Sequence, residues 1–145
     1  MKKLALAISV LPLIALGSDQ AMYAGDYSDD WRKANEVMAA RGLKVTRSDR
    51  EAGVLEGSRE EGARVEWFTC PNSHGEVRSQ GYTVVVLLTG IEGKTSVRVT
   101  SFGTQFKYQN RYFLVFRKAP INTQVRCEST GVLEPIILSE IIAGL

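Results

Sequence analysis

Apolar and polar residues change their spacing several times along this chain, and each change marks a predicted element. Trp31, Ala34, Val37 and Met38 recur at helical spacing and predict a helix with one apolar face over residues 30–40. Ser28 or Asp29 can cap it, Asp29 and Asp30 complement its positive end, and Gly42 after Arg41 suits the left-handed stop. The spacing then falls to two. Leu43 and Val45 alternate with Lys44 and Thr46, a turn covers residues 48–53, and residues 54–58 resume extended chain, which predicts a hairpin over 43–58. Residues 64–70 alternate again after the turn Glu60-Glu61-Gly62, with Val65, Trp67 or Phe68, and Cys70 directed inward.

The most apolar run is YTVVVLL, residues 82–88, which predicts a strand covered on both faces or at least central in the sheet. Residues 90–94 read as a hairpin loop, and residues 96–102 alternate cleanly. Phe106 and Tyr108 alternate within a polar stretch, YFLVFR at 112–117 reads as a further strand, and Ala119-Pro120-Ile121-Asn122 ends it. Residues 125–127 allow one last short strand. Thr130 is placed to cap a second helix with Glu134 in its first turn, Pro135 near its start, and Val132, Leu133, Ile136, Ile137 and Ile141 as its apolar surface. The order of helix, strands and helix predicts an α+β domain. Its antiparallel sheet would have about five to seven strands, with the N-terminal and C-terminal helices packed on one face.

The N-terminal segment changes the setting. Lys2 and Lys3 precede thirteen uncharged residues, 4–16, and Ala15-Leu16-Gly17 offers small residues before a cut. Residues 1–17 therefore read as a cleavable bacterial signal peptide, cut before Ser18 or, as a second choice, near Ala24. The apolar run is too short to span a bilayer. Residues 18–27 then form a polar, flexible lead, and residues 28–145 the domain. Export to the periplasm or beyond makes Cys70 and Cys127 a predicted disulfide. Removing the leader takes away two of 18 basic residues and none of the 16 acidic ones, so the remainder is formally neutral. Neutrality argues against a general nucleic-acid-binding role.

Candidate chemistry is sparse. The carboxylate groups Asp29-Asp30, Glu60-Glu61 and Asp49, Glu51, Glu56 have helix-start or turn explanations, and a glycosidase needs two carboxyls held across a bond. His74 is the only histidine and stands beside Ser73 in the loop PNSHG, a neighbourhood that makes no triad. Cys70 could serve His74 as a nucleophile only without its disulfide. No metal set, cofactor motif or phosphate loop occurs, so no catalytic residue, cofactor or metal ligand is assigned. The segment 105–118 interleaves aromatic and basic residues, and Phe106, Tyr108, Arg111 and Tyr112 are the candidate binding residues, of the types that protein interfaces enrich.

Residues 35–59, NEVMAARGLKVTRSDREAGVLEGSR, resemble the repeated helix-on-sheet domain of BamC-type bacterial envelope lipoproteins, without the lipid-bearing Cys. That module has a helix ending in a glycine, then V-x-x-x-D-x-x-x-G-x-[IL]; the later STG-x-LE, residues 129–134, would fill the place of its second helix. The resemblance implies helices on one side of an antiparallel sheet and an accessory role at the cell envelope. Together these readings favour a non-enzymatic exported protein that binds an envelope or secreted protein partner, with no nucleic acid and no membrane span in the mature chain. Two other classes stay open. One is a secreted enzyme inhibitor presenting PNSHG. The other is a small periplasmic hydrolase using carboxylates or His74, for which His74 and Glu66 or Glu76 are the positions to replace.

Overall fold

The computed structural model describes residues 18–23, 25–72 and 75–143. The predicted leader, 1–17, and the loop residues Ser73 and His74 lie outside the described residues. The element order is β1 (Ser18–Tyr23), α1 (Tyr27–Ala40), β2 (Lys44–Asp49), β3 (Val54–Arg59), a 3-10 turn (Val65–Trp67), β4 (Phe68–Thr69), β5 (Glu76–Ile91), β6 (Lys94–Phe113), β7 (Phe116–Ser129) and α2 (Leu133–Ala143). One antiparallel seven-stranded sheet runs β2-β3-β5-β6-β7-β4, with β1 also paired to β6.

The long β5–β6 hairpin is the axis of the fold. Its turn is Glu92-Gly93, both at positive φ, 46° and 75°, as a two-residue hairpin turn of matching twist requires. Val84, Val86, Val97 and Val99 are fully buried; Val86 pairs with Val99 and Leu55, and Leu88 pairs with Val97. The intervening Val85 and Leu87 are half-buried, so the central strand is more deeply covered on one face than on the other. Alternation along a pleat thus decides which half of each strand enters the core.

Helix α1 buries Ala34, Val37 and Met38, and Arg41 and Gly42, the latter at φ 70°, close it. It starts one residue before Ser28, with Asp26 at the cap position, while Asp29 and Asp30 fall in the first turn. Arg41 at its end grips Glu140 of α2 through two bonds, Nε to Oε2 at 3.0 Å and Nη2 to Oε1 at 2.6 Å. Burial works against the Arg41 charge, but the hydrogen bond and attraction from Glu140, helped by Tyr82, outweigh it and hold the guanidinium above its ordinary pKa.

Helix α2 buries Leu133, Ile137, Leu138 and Ile141 and leaves Val132, Ile136 and Ile142 partly in solvent. Thr130, expected as its cap, instead donates its hydroxyl to the carbonyls of Glu66, at 2.7 Å, and Trp67, at 3.0 Å. Glu134 in the first turn is buried, and its Oε1 accepts from the hydroxyls of Ser101, at 2.6 Å, and Ser129. Deleting that carboxyl strands both hydroxyls beside a new void. Glu134→Ala is expected to cost about 3 kcal/mol and Glu134→Gln clearly less, since the amide oxygen can still accept; urea unfolding of the two variants checks this.

Four further expectations need correction. Residues 18–27 are not wholly a free lead, because residues 18–23 pair with Thr95–Thr100 on the part of β6 that β7 leaves uncovered. Residues 64–70 are not one strand: the 3-10 turn exposes Val65 and lets the adjacent Trp67 and Phe68 both enter the core, where Trp67 packs edge-on to Tyr82 with centroids 5.4 Å apart. Residues 112–117 are not a strand but a hairpin end, with Leu114-Val115 as its turn. Pro120 does not end β7. It lies where β7 slips in register between Gln109 and Arg111, a bulge in which a missing N–H is tolerated.

Candidate functional site

The last β5–β6 pairing is Glu76 with Tyr108, whereas β6 and β7 stay paired to Phe113 and Phe116. Residues 109–121 therefore continue beyond β5 as a two-stranded arm. At its end Tyr112, Leu114, Val115 and Phe116 are 67%, 81%, 89% and 68% exposed. Leu114 has φ 56°, a backbone conformation usually left to Gly or Asn.

The four candidate residues lie along β6 but do not converge. Phe106 is half-buried, in register with Ser79 and Gln124. Tyr108 is half-buried, with the Arg78 guanidinium 4.5 Å from its ring centroid. Arg111 is exposed and its Nε donates to the Ala119 carbonyl at 3.0 Å. Tyr112 is exposed opposite Arg117. Strand alternation places Phe106, Tyr108 and Tyr112 on one face and Arg111 on the other.

The face carrying Phe106 and Tyr108 extends back to Phe102, whose ring lies 4.0 Å under the Arg126 guanidinium. Val85, Thr100, Phe102 and Arg126 line a shallow depression there. Two aromatic rings each covered by an arginine make a firm, amphipathic surface. Sequence reasoning missed Phe102 and Arg126, and it placed Leu114 to Phe116 within the candidate segment 105–118 but as strand, not as the exposed end of an arm. A signal for them exists: between Glu92 and Glu128 the chain has seven basic residues and no acidic one. Neutrality of the remaining chain conceals this local asymmetry.

The catalytic candidates are dispersed. Asp30 is buried at the start of α1, whereas Asp29 is exposed and 3.7 Å from Arg32. Asp49 caps its own turn by accepting from the Ala52 N–H at 3.0 Å. Glu60 and Glu61 are exposed, as are Glu66, 3.6 Å from Arg64, and Glu76, 4.0 Å from Arg78. Among the described residues no group of three or more His, Cys, Asp or Glu side chains is placed to hold a metal ion.

Cys70 and Cys127 form a disulfide with Cα atoms 4.3 Å apart. Phe68 and Thr69 pair with Ser129 and Glu128, so the bridge continues that ladder by one step. Oxidised in this way, Cys70 is not available as a nucleophile. The bridge also holds one end of the loop that contains Pro71 and Asn72, both exposed. No described helix is long and apolar enough to cross a membrane. No protein-family model matches this chain, and comparison with curated proteins finds no significant relative.

Proposed function

We propose that this is a non-enzymatic accessory protein of the bacterial cell envelope, exported to the periplasm or secreted, which acts by binding another protein. The observation that carries the reading is the sheet face of Phe102, Phe106 and Tyr108 with Arg126 and Arg78 over two of its rings. Aromatic and arginine side chains are what protein interfaces concentrate at their centres, because they bury large area at low entropic cost and retain a polar handle.

The placing of the helices supports this choice of face. Glu134 of α2 reaches Ser101, and Met38 of α1 lies against Gly57, and both sheet positions point to the same side of the pleat as Val97 and Val99. We take α1 and α2 to share that side, which leaves the aromatic face for a partner. The disulfide and the leader-like N-terminus support an extracytoplasmic setting. The resemblance of residues 35–59 to the BamC-type module, with α1, Gly42 and the β2–β3 hairpin in its order, supports the envelope.

A photo-crosslinking residue introduced at Phe106 or Tyr108 in living cells is expected to capture a discrete envelope or secreted protein. Phe106→Ser with Tyr108→Ser is expected to weaken that capture about tenfold or more while the far-ultraviolet spectrum is unchanged. A folded double variant that retains full capture would refute the assignment of this face.

A further inference from the structure

We propose that the tip of the β6–β7 arm is a peripheral membrane anchor that dips into an anionic phospholipid surface. This goes beyond the protein-binding reading and concerns a different part of the molecule.

The first support is apolarity in an unusual place. Single exposed apolar side chains are ordinary, but here Tyr112, Leu114, Val115 and Phe116 form one convex apolar end at 67–89% exposure. A turn in water is normally built from Gly, Asn or Asp, and this one holds leucine at φ 56°. The backbone thus tolerates a disfavoured residue in order to present an isobutyl group outward. Insertion into an acyl boundary removes that group from water and gives the residue a physical reason.

The second support is charge. Arg111, Arg117 and Lys118 stand immediately behind the tip, and Arg111 lies directly opposite Lys118 in register. Three cations gathered behind one apolar end complement the phosphates of an anionic surface. A rise of about 3.3 Å per residue puts this basic collar roughly 8–12 Å behind the turn. That matches the depth of about 5–10 Å over which interfacial segments bury their apolar side while their cations meet headgroups. The strands of the arm carry no acidic residue between Glu92 and Glu128, and Glu76, which pairs with Tyr108 at the base of the arm, lies 4.0 Å from Arg78. A second copy is a poorer occupant, since two such tips would bring their cations together.

The test uses the full chain and its variants made from the same gene, so that any contribution of residues 1–17 is common to all. Flotation with phosphatidylcholine vesicles is compared with mixed phosphatidylcholine–phosphatidylglycerol vesicles. The protein is expected to bind the mixed vesicles more tightly than the neutral ones. Leu114→Ser with Val115→Ser is expected to reduce binding about a hundredfold. Arg117→Glu with Lys118→Glu is expected to abolish the preference for anionic lipid, at about fivefold or more per basic residue lost. A Val115→Trp variant is expected to show a blue shift on adding mixed vesicles that the unmodified chain, with Trp31 and Trp67 alone, does not.

Failure to bind mixed vesicles, or binding unchanged by the tip substitutions, would overturn the anchor. So would tip variants that leave vesicle binding intact while dissolving an oligomer, which assigns the tip to a second copy, or releasing a crosslinked partner, which assigns it to a protein. Phe106→Ser with Tyr108→Ser should keep vesicle binding, so the anchor and the protein-binding face fail separately.

Discussion

Removing the Cys70–Cys127 bridge, with Cys70→Ser and Cys127→Ala, is expected to lower stability by about 4 kcal/mol. The bridged residues are 57 apart in sequence, and opening so long a loop returns much conformational freedom to the unfolded chain. Alanine is the better replacement at position 127, because Cys127 is 1% exposed and a serine hydroxyl there would be buried at further cost. The bridge also anchors β4, a strand of only two residues, and through it the Trp67–Phe68 pair that fills one end of the core. Denaturant unfolding of the oxidised chain, the reduced chain and the double variant checks this. The last two should unfold at similar denaturant concentrations, both well below the first. A double variant as stable as the oxidised chain would mean that the β4–β7 ladder and the aromatic packing hold this end of the sheet unaided.

Gly53→Ala is expected to destabilise the protein by about 3 kcal/mol or more, a large effect for one methyl group. Gly53 ends the β2–β3 turn at φ 72°, where any Cβ is strained. A Cβ built there would also lie 1.9 Å from the Leu88 carbonyl oxygen and 3.0 Å from the Tyr27 hydroxyl. Neither neighbour can give freely. The Leu88 N–H donates to the Gly53 carbonyl at 2.8 Å, and the Tyr27 hydroxyl donates to the Arg50 carbonyl at 2.7 Å. The turn, β5 and α1 meet at this glycine, so a methyl group must push at least two of them apart. Urea unfolding, with Gly93→Ala as comparison, isolates the clash. Gly93 has a similar φ of 75° but nothing within 4 Å of a built Cβ, so it reports the backbone strain alone.

The fold relates its two proposed contact surfaces through a single strand. β6 carries Val97 and Val99 into the core, presents Phe102, Phe106 and Tyr108 on its other face, and then runs past β5 to the exposed arm. The register tying β6 to β5 is the same register that aims the aromatic face. Because the arm beyond Tyr108 contributes little to the core, changes at its tip should be readable as binding effects.

Much of this architecture was written in local patterns. The 3.6-residue spacing of Ala34, Val37 and Met38, with Gly42 after it, determines α1 within a few residues, because helical bonds and side-chain contacts are local. The alternation on either side of Gly53 determines the β2–β3 hairpin for the same reason. Two cysteines behind a leader-like N-terminal segment were enough to expect the bridge. The candidate site was partly legible: Phe106 and Tyr108 occupy the aromatic face, Tyr112 belongs to the arm tip, and Arg111 points to the other side. What only the tertiary structure decided depends on partners distant in sequence. Residues 18–23 look like a polar lead and become β1 because β6 has an edge to offer them. YFLVF has the composition of a buried strand, yet among the described residues only β7 pairs with β6 beyond Tyr108, so the chain turns at Leu114 and leaves Tyr112, Leu114, Val115 and Phe116 exposed. Hydrophobic pattern states which residues can be buried; only the pairing lengths of distant strands decide where the burying sheet stops.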